Sequence, residues 1–529
     1  MPASGSSFSR SKPADSGANP VCRARSVSRA HVRRWLLPLF AALALAGCGA
    51  LVRSYDVTPA GLARGDAQLR QLLESGSADT ALLRFDQPKK QTTLPTDDLL
   101  RLLYRGVVAY HAGHYDSSGT YLDRAAQLVE ERQVFRISRE AAALITNDRA
   151  LPWQPLTTER LLLPYYAALS YVRRNDLNEA AVEARRLSHA LEALDEKPGA
   201  VTARLRGFLR YFAGAVFEAA GATNDAAVAY RNARRLLGDS IVPVAAATDS
   251  GDVIVLLEEG FVAHRIEQSV TIALAHDEAD WLHGDDQKRR DATASAVAAR
   301  ALAQVLSPAA VYNVGPRVGK QHWFIPAPER TQEPKPECKT EKADSAAAQE
   351  EDAKSDDCDH DHDRDFYILR LAWPAYHAVS KPTLHARVAL PDSSSLEMPW
   401  FVSVSDAVVN DFTADRGRIL ARSIARAAAK FALTKGAQES AGKKNEDLGR
   451  ALGAIANVSG ALLDQADTRS WTLLPGGIGL ARVRLPAGRH RLALDIDGGN
   501  SSTSRRRLDL GEVQVRGGEL GFITARMWQ

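Results

Sequence analysis

The most metal-like run in the chain is Cys358-Asp359-His360-Asp361-His362-Asp363. A thiolate, two imidazoles and flanking carboxylates are ligand types that hold zinc or copper. The run sits in a strongly polar tract, where ordering the ligands opposes binding, and oxidation of Cys358 would remove the thiolate. A solvated acidic linker is the preferred reading, and no metal or cofactor is expected. Glu258-Glu259 with His264 and Glu267 form the densest titratable cluster. Alternation along a strand sends Glu258 and Glu259 to opposite faces, which argues against a joint site. The sequence has no G-x-S-x-G, H-E-x-x-H or P-loop pattern, so no catalytic residue is assigned and no enzymatic activity is expected. Arg418, Arg422, Arg426 and Lys430 recur every fourth residue. On a helix they form a basic stripe that could meet an anionic membrane or an acidic partner; a solvated face with some salt bridges is the preferred reading.

Cys48 is different, because its surroundings specify a reaction. A basic segment ending in Arg33-Arg34 is followed by a short apolar run, Trp35 to Ala46, and then by Leu45-Ala46-Gly47-Cys48. The run is too short for a span, which needs roughly 20 apolar residues. Small residues before the cysteine let the chain enter a peptidase cleft, after which the thiol accepts a lipid. The order of charge, apolar run and cysteine resembles the signal and lipobox of bacterial lipoproteins. The resemblance implies cleavage after residue 47 and lipidation of Cys48. Gly49 is not the Asp that favours inner-membrane retention, which implies an outer-membrane lipoprotein facing the periplasm. Residues 1–47 carry seven Lys or Arg against one acid, more than the whole chain's net charge of +3, so the remainder carries about −3. The basic balance is therefore no argument for nucleic acid. Of the four cysteines, Cys22 leaves with the signal and Cys48 is acylated. Cys338 and Cys358 remain, an even pair in an oxidising compartment, and a disulfide between them is the favoured reading.

Helices dominate residues 48–240, where apolar residues recur at helical spacing. Three segments share a pattern: Gly106, Ala109, Gly113, Tyr115, Ser118, Leu122, Ala125; Ala168, Tyr171, Asn175, Leu177, Ala180, Ala184, Leu187; and Gly214, Phe217, Gly221, Thr223, Ala226, Tyr230, Ala233. Small residues at facing positions let two antiparallel helices approach, and the turn residue ends the first helix. The pattern resembles tetratricopeptide (TPR) repeats, but equivalent positions lie 62 and then 46 residues apart. The family period is about 34.

A mixed α/β region follows over 251–328, with strands at 252–258 and 265–273 and a helix at 292–306. Residues 329–365 hold 14 acids and 6 basic residues, and read as an acidic disordered insertion. Strands and a two-helix hairpin, 406–435 and 448–463, fill 366–465, with Leu420, Ile424, Ala427 and Phe431 on one face of the first helix. Four short strands over 466–529 predict a C-terminal antiparallel β module. The fold class is α+β.

The stretches DVIVLLEEGFVAHRIEQ (252–268), Leu371-Ala372-Trp373-Pro374-Ala375-Tyr376, LARSIARAAAKF (420–431) and ADTRSWTLLP (466–475) together resemble an uncharacterised family of bacterial lipoproteins with degenerate TPR repeats. Leu485-Pro486-Ala487-Gly488-Arg489-His490 resembles a turn of small β modules in surface lipoproteins. The resemblance implies a compartment and an architecture, and brings no catalytic residues. The expectation is a membrane-anchored scaffold that binds envelope proteins through its helical repeats. The alternative is an accessory to peptidoglycan synthesis or a wall-directed enzyme.

Overall fold

The computed structural model describes residues 58, 61–87, 93–134, 149, 151–196, 201–238, 248–275, 312–313, 320–325, 366–377, 385–442, 465–497 and 505–528. Cys48, Cys338, Cys358, the run 358–363, the insertion 329–365 and the expected helices 292–306 and 448–463 lie outside the described residues.

The N-terminal half folds into α1 (Arg64–Glu74), α2 (Ala78–Leu83), α3 (Asp98–His111), α4 (Tyr115–Val134), α5 (Thr157–Arg173), α6 (Leu177–Glu196), α7 (Ala203–Ala219) and α8 (Thr223–Leu237). Local chemistry starts these helices. Asp97 accepts from the backbone of Leu99 and Leu100, Thr202 accepts from Leu205, and Glu159 reaches back to the backbone of Leu156. The pairs α3–α4, α5–α6 and α7–α8 are three hairpins closed in one way. Gly113, Asn175 and Gly221 all adopt positive φ, at +81°, +59° and +73°. At each turn two backbone bonds run back across the helix end: His114 to Ala109 with Gly113 to Tyr110, Asp176 to Tyr171 with Asn175 to Val172, and Ala222 to Phe217 with Gly221 to Glu218. These are three Schellman motifs at equivalent positions, satisfying carbonyls that a helix end leaves unpaired.

The hairpin seams match in size. A Cβ on Gly106 would sit 2.7 Å from Leu122, and one on Gly214 would sit 2.8 Å from Tyr230. The second hairpin has Ala168 and Ala184 at the equivalent positions, both fully buried.

The strands are β1 (Ser250–Glu259), β2 (Arg265–Ala275), β3 (Tyr312–Asn313), β4 (Lys320–Ile325), β5 (Phe366–Tyr376), β6 (His385–Ala389), β7 (Ser395–Glu397), β8 (Trp400–Ser403), β9 (Gly477–Pro486), β10 (Gly488–Asp497), β11 (Arg505–Val515) and β12 (Leu520–Met527), with α9 (Val404–Gly442) after β8. They form three sheets, ordered β12-β1-β9-β8, β11-β10-β6-β7 and β3-β4-β2-β5. The first is sandwiched between the helices and the second. Alternation along β1 sorts its side chains: Ile254 and Leu256 join the helical core, while Val253, Val255 and Leu257 join Val388, Leu492, Leu494 and Ile496 of the second sheet. The fold is α+β.

Two expectations change. The strands of 466–529 are not one antiparallel module. β9 and β12 flank β1, whereas β10 and β11 pair with each other and with β6. β12 runs parallel to β1, with Val253 opposite Gly521. β1 is apolar on both faces and inside a sheet, so it needs a partner on each edge. The second change concerns α9. Ile424, expected on the buried face with Leu420 and Ala427, is 58% exposed, whereas Ala407, Val408, Phe412, Ser423, Arg426 and Ala427 are buried.

Candidate functional site

Polar side chains are drawn into the interface between the helices and the first sheet, where they must find partners. Glu258 points to the helix side of β1, and its register partner on β12 is Arg526. Arg526 donates to Glu258 at 3.0 Å, to the Tyr166 hydroxyl at 3.2 Å, and to the carbonyls of Gly260 and Leu473. His111 Nε2 lies 3.9 Å from Glu258. Burial, reinforced by Arg526, holds the His111 imidazole well below its ordinary pKa and therefore neutral. Burial and the Glu258 charge push the Tyr165 and Tyr166 hydroxyls well up.

A second knot joins α1 and α3 to the segment before β9. The Tyr104 hydroxyl lies 2.8 Å from Asp66 Oδ2 and 2.7 Å from Thr472 Oγ1, and Thr472 Oγ1 also donates to Asp66. Arg70 donates to the carbonyls of Thr472 and Val262. Burial pushes Asp66 up to about 6 and Arg70 down to about 10. A third knot is Glu159, which accepts from the Trp471 backbone at 2.9 Å as well as from Leu156. Thus 470–473, part of the stretch singled out in the sequence, is tied down by side chains from α1, α3, α5 and β12. Each of these acids meets hydrogen-bond donors, and the seam ties the segment before β9 to the helices.

The titratable cluster of the sequence is dispersed. Glu258 faces the helices, and Glu259 is buried at the next position with Oε1 lacking a hydrogen-bond partner. Burial alone raises Glu259 to about 7. His264 stacks obliquely near His377, with ring centres 5.5 Å apart. Glu267 receives Arg370 at 3.0 Å and the Ala466 backbone at 3.1 Å. The basic stripe is also broken. Arg418 is exposed and pairs with Asp415 at 2.6 Å, Arg422 is half-buried, and Arg426 is fully buried, 3.4 Å from Ser423 Oγ. Positions four apart drift by about 40° around a helix, so a long stripe cannot keep facing solvent. The side chain of Lys430 lies outside the described residues.

A cleft of about 660 Å³ opens where the turns of the second and third hairpins meet β12. Asn175, Gly221 and Glu218 form one side; Val513 to Arg516, the turn at Gly518, and Leu520 to Phe522 form the other. Among the described strands β12 lies at the edge of its sheet, and a side chain added at Gly521 would meet nothing closer than the Asp252 carbonyl at 4.0 Å. The floor is fixed by charge. Arg482 forks onto Glu218 with bonds of 2.7 and 2.8 Å and reaches Asp252 at 2.6 Å, while Tyr230 donates to Glu218 at 2.6 Å. Burial would raise Asp252, but Arg484 and Arg482 overcome it and hold the carboxyl below its usual range. The sequence reading missed this cleft because its walls come from four distant segments; the only local signals were Gly517-Gly518 and the alternating Arg482 and Arg484.

Among the described residues no group of three His, Cys, Asp or Glu is placed to hold a metal ion. No described helix is long and apolar enough to cross a membrane. No known family model matches the chain, and no curated protein matches it.

Proposed function

We propose that the protein is a non-enzymatic, lipid-anchored scaffold of the bacterial envelope, tethered through Cys48 to the outer membrane and facing the periplasm. It holds an extended segment of a partner protein in the cleft beside β12. Three hairpins with equivalent turns support the reading of degenerate TPR repeats. The inner helices of those hairpins are covered by the chain's own first sheet, since Tyr165, Phe208 and Phe212 share one core with Ile254, Leu256 and Ile478. The cleft lies at the turns of the second and third of these hairpins, so the hairpins themselves supply one wall of the proposed binding surface.

The observation that carries the proposal is the open cleft walled by an edge strand. An edge strand offers unpaired backbone groups to an extended peptide, and neighbouring pockets select its side chains. Affinity purification of the anchored protein, followed by crosslinking, tests it. Defined envelope partners should be recovered with wild type and lost with Gly521→Trp, which fills the cleft. Equal recovery by both, or no partner above background, refutes the reading.

A further inference from the structure

The described sheet edges differ in how they are guarded. β3, β7 and β8 are two to four residues long, and β5 carries Pro374. β11 has a register shift beside Leu492 and Ala493 and begins with Arg505, Arg506 and Arg507. Shortness, proline, bulges and charge all discourage pairing with another chain. β12 keeps an unbroken register over Leu520–Met527, and its one charged side chain, Arg526, is turned inward onto Glu258. The Asp252 amide donates to the Glu519 carbonyl and the Gly260 amide to the Met527 carbonyl, so alternate residues from 519 to 527 turn their backbone to β1. Phe522 and Thr524 turn theirs to the other side, where their backbone groups meet no partner among the described residues.

Charge along this edge is uneven. Glu218, Asp252 and Glu519, the acids lining the cleft, are matched by Arg482, Arg484 and Arg516. Arg173 also lines the cleft and is exposed. Its Nε donates to the Tyr115 hydroxyl at 3.1 Å, and its guanidinium lies 5.2 Å from the centre of that ring. The Tyr115 ring meets Tyr110 edge-on, with centres 5.6 Å apart, and the Tyr110 hydroxyl donates to Thr524 Oγ1 at 2.9 Å. These contacts hold the guanidinium beside β12 through Nε and leave its two Nη groups as a fork. No described carboxylate pairs with it, since Asp116 and Asp176 pair with the neighbouring Arg174. A planar fork of this kind matches a carboxylate.

We infer that the segment taken up beside β12 is acidic: it pairs its backbone with Phe522 and Thr524 and sets a glutamate or aspartate carboxylate on the Arg173 fork. The inference rests on the cleft being the binding surface.

The test is fluorescence anisotropy on the detergent-purified full-length protein. The probes are labelled, end-blocked seven-residue peptides of alternating valine and threonine with one central glutamate, glutamine or lysine. The glutamate peptide should bind wild type about fivefold more tightly than the glutamine peptide, and the lysine peptide should bind most weakly. Arg173→Gln, at an exposed position, should erase the difference, and Arg173→Glu should reverse the order of glutamate and lysine. Equal binding of the three peptides by wild type, lost in Gly521→Trp, overturns the inference and leaves the cleft reading standing. A glutamate preference that persists in Arg173→Gln overturns it in the same way. No binding at about 1 mM, or binding that Gly521→Trp leaves intact, overturns both.

Discussion

Arg526 on β12 donates to Glu258 on β1 over 3.0 Å, and both side chains are only 4% exposed. The two strands are adjacent and parallel, yet the residues are 268 positions apart in the chain. The pair ties the last strand to the central one beneath the helices. Removing one partner leaves a buried charge uncompensated, so Arg526→Ala should cost about 3–5 kcal/mol in urea unfolding. Arg526→Met combined with Glu258→Gln should cost less than the sum of the single changes. Strict additivity would show that the two groups do not act together.

Two glycines in helices should respond with opposite signs. Gly214→Val pushes into Tyr230 and should destabilise by about 1–3 kcal/mol. Gly417, in α9, has nothing within 4 Å of an added Cβ. Gly417→Ala should therefore stabilise by about 0.5–1 kcal/mol through reduced backbone freedom. Chemical denaturation of both variants checks the pair.

Glu259 makes stability depend on pH. Its folded pKa, about 7, lies above the ordinary 4.5, so the native state holds the proton more tightly than the unfolded chain. Stability contributed by the neutral form is present below about pH 4.5 and lost as pH rises through 7. Asp66, raised to about 6, acts in the same direction over a lower window. Glu259→Gln should reduce the difference between denaturation midpoints at pH 5 and pH 8. An unchanged difference would assign the dependence to other groups.

Cys48→Ala should abolish incorporation of a fatty-acid analogue. The body should then move to the soluble fraction or remain attached by an uncut signal. Equal labelling of wild type and variant would falsify the anchor.

The pair Cys338 and Cys358 should show no reactive thiols when the mature protein is denatured without reductant. A disulfide there closes a loop of about 20 residues, and the chain-entropy estimate for it is roughly 3 kcal/mol, less where the loop stays mobile after folding. The double Ser variant should fold and localise as wild type, with faster proteolysis between 328 and 365. Two reactive thiols, with zinc removable by chelator, would favour the metal reading instead.

The three hairpins were legible in the residue string because their causes are local. A small residue facing its partner, and Gly113, Asn175 or Gly221 four residues after the first helix's Ala109, Tyr171 or Phe217, act over a few turns of chain. The apolar run Val253 to Leu257 announced a buried strand for the same reason. Faces were also legible: alternation along β1 sends Ile254 and Leu256 into one core and Val253, Val255 and Leu257 into the other. Pairing was not. That β12 lies parallel to β1, that Tyr104 meets Thr472, and that Arg482 forks onto Glu218 depend on segments hundreds of residues apart. Helical periodicity likewise put Ile424 inside and the Arg418–Arg426 stripe outside, but the packing on α9 buried Ala427 and Arg426 and left Ile424 exposed. The sequence by itself determined the elements, their turns and the alternation of their faces, because those follow from short-range sterics and hydrogen bonding. Only the tertiary structure decided which faces meet, because that choice rests on the joint burial of distant surfaces. It thereby packed the inner side of the hairpins against the first sheet and left open the cleft where binding is proposed.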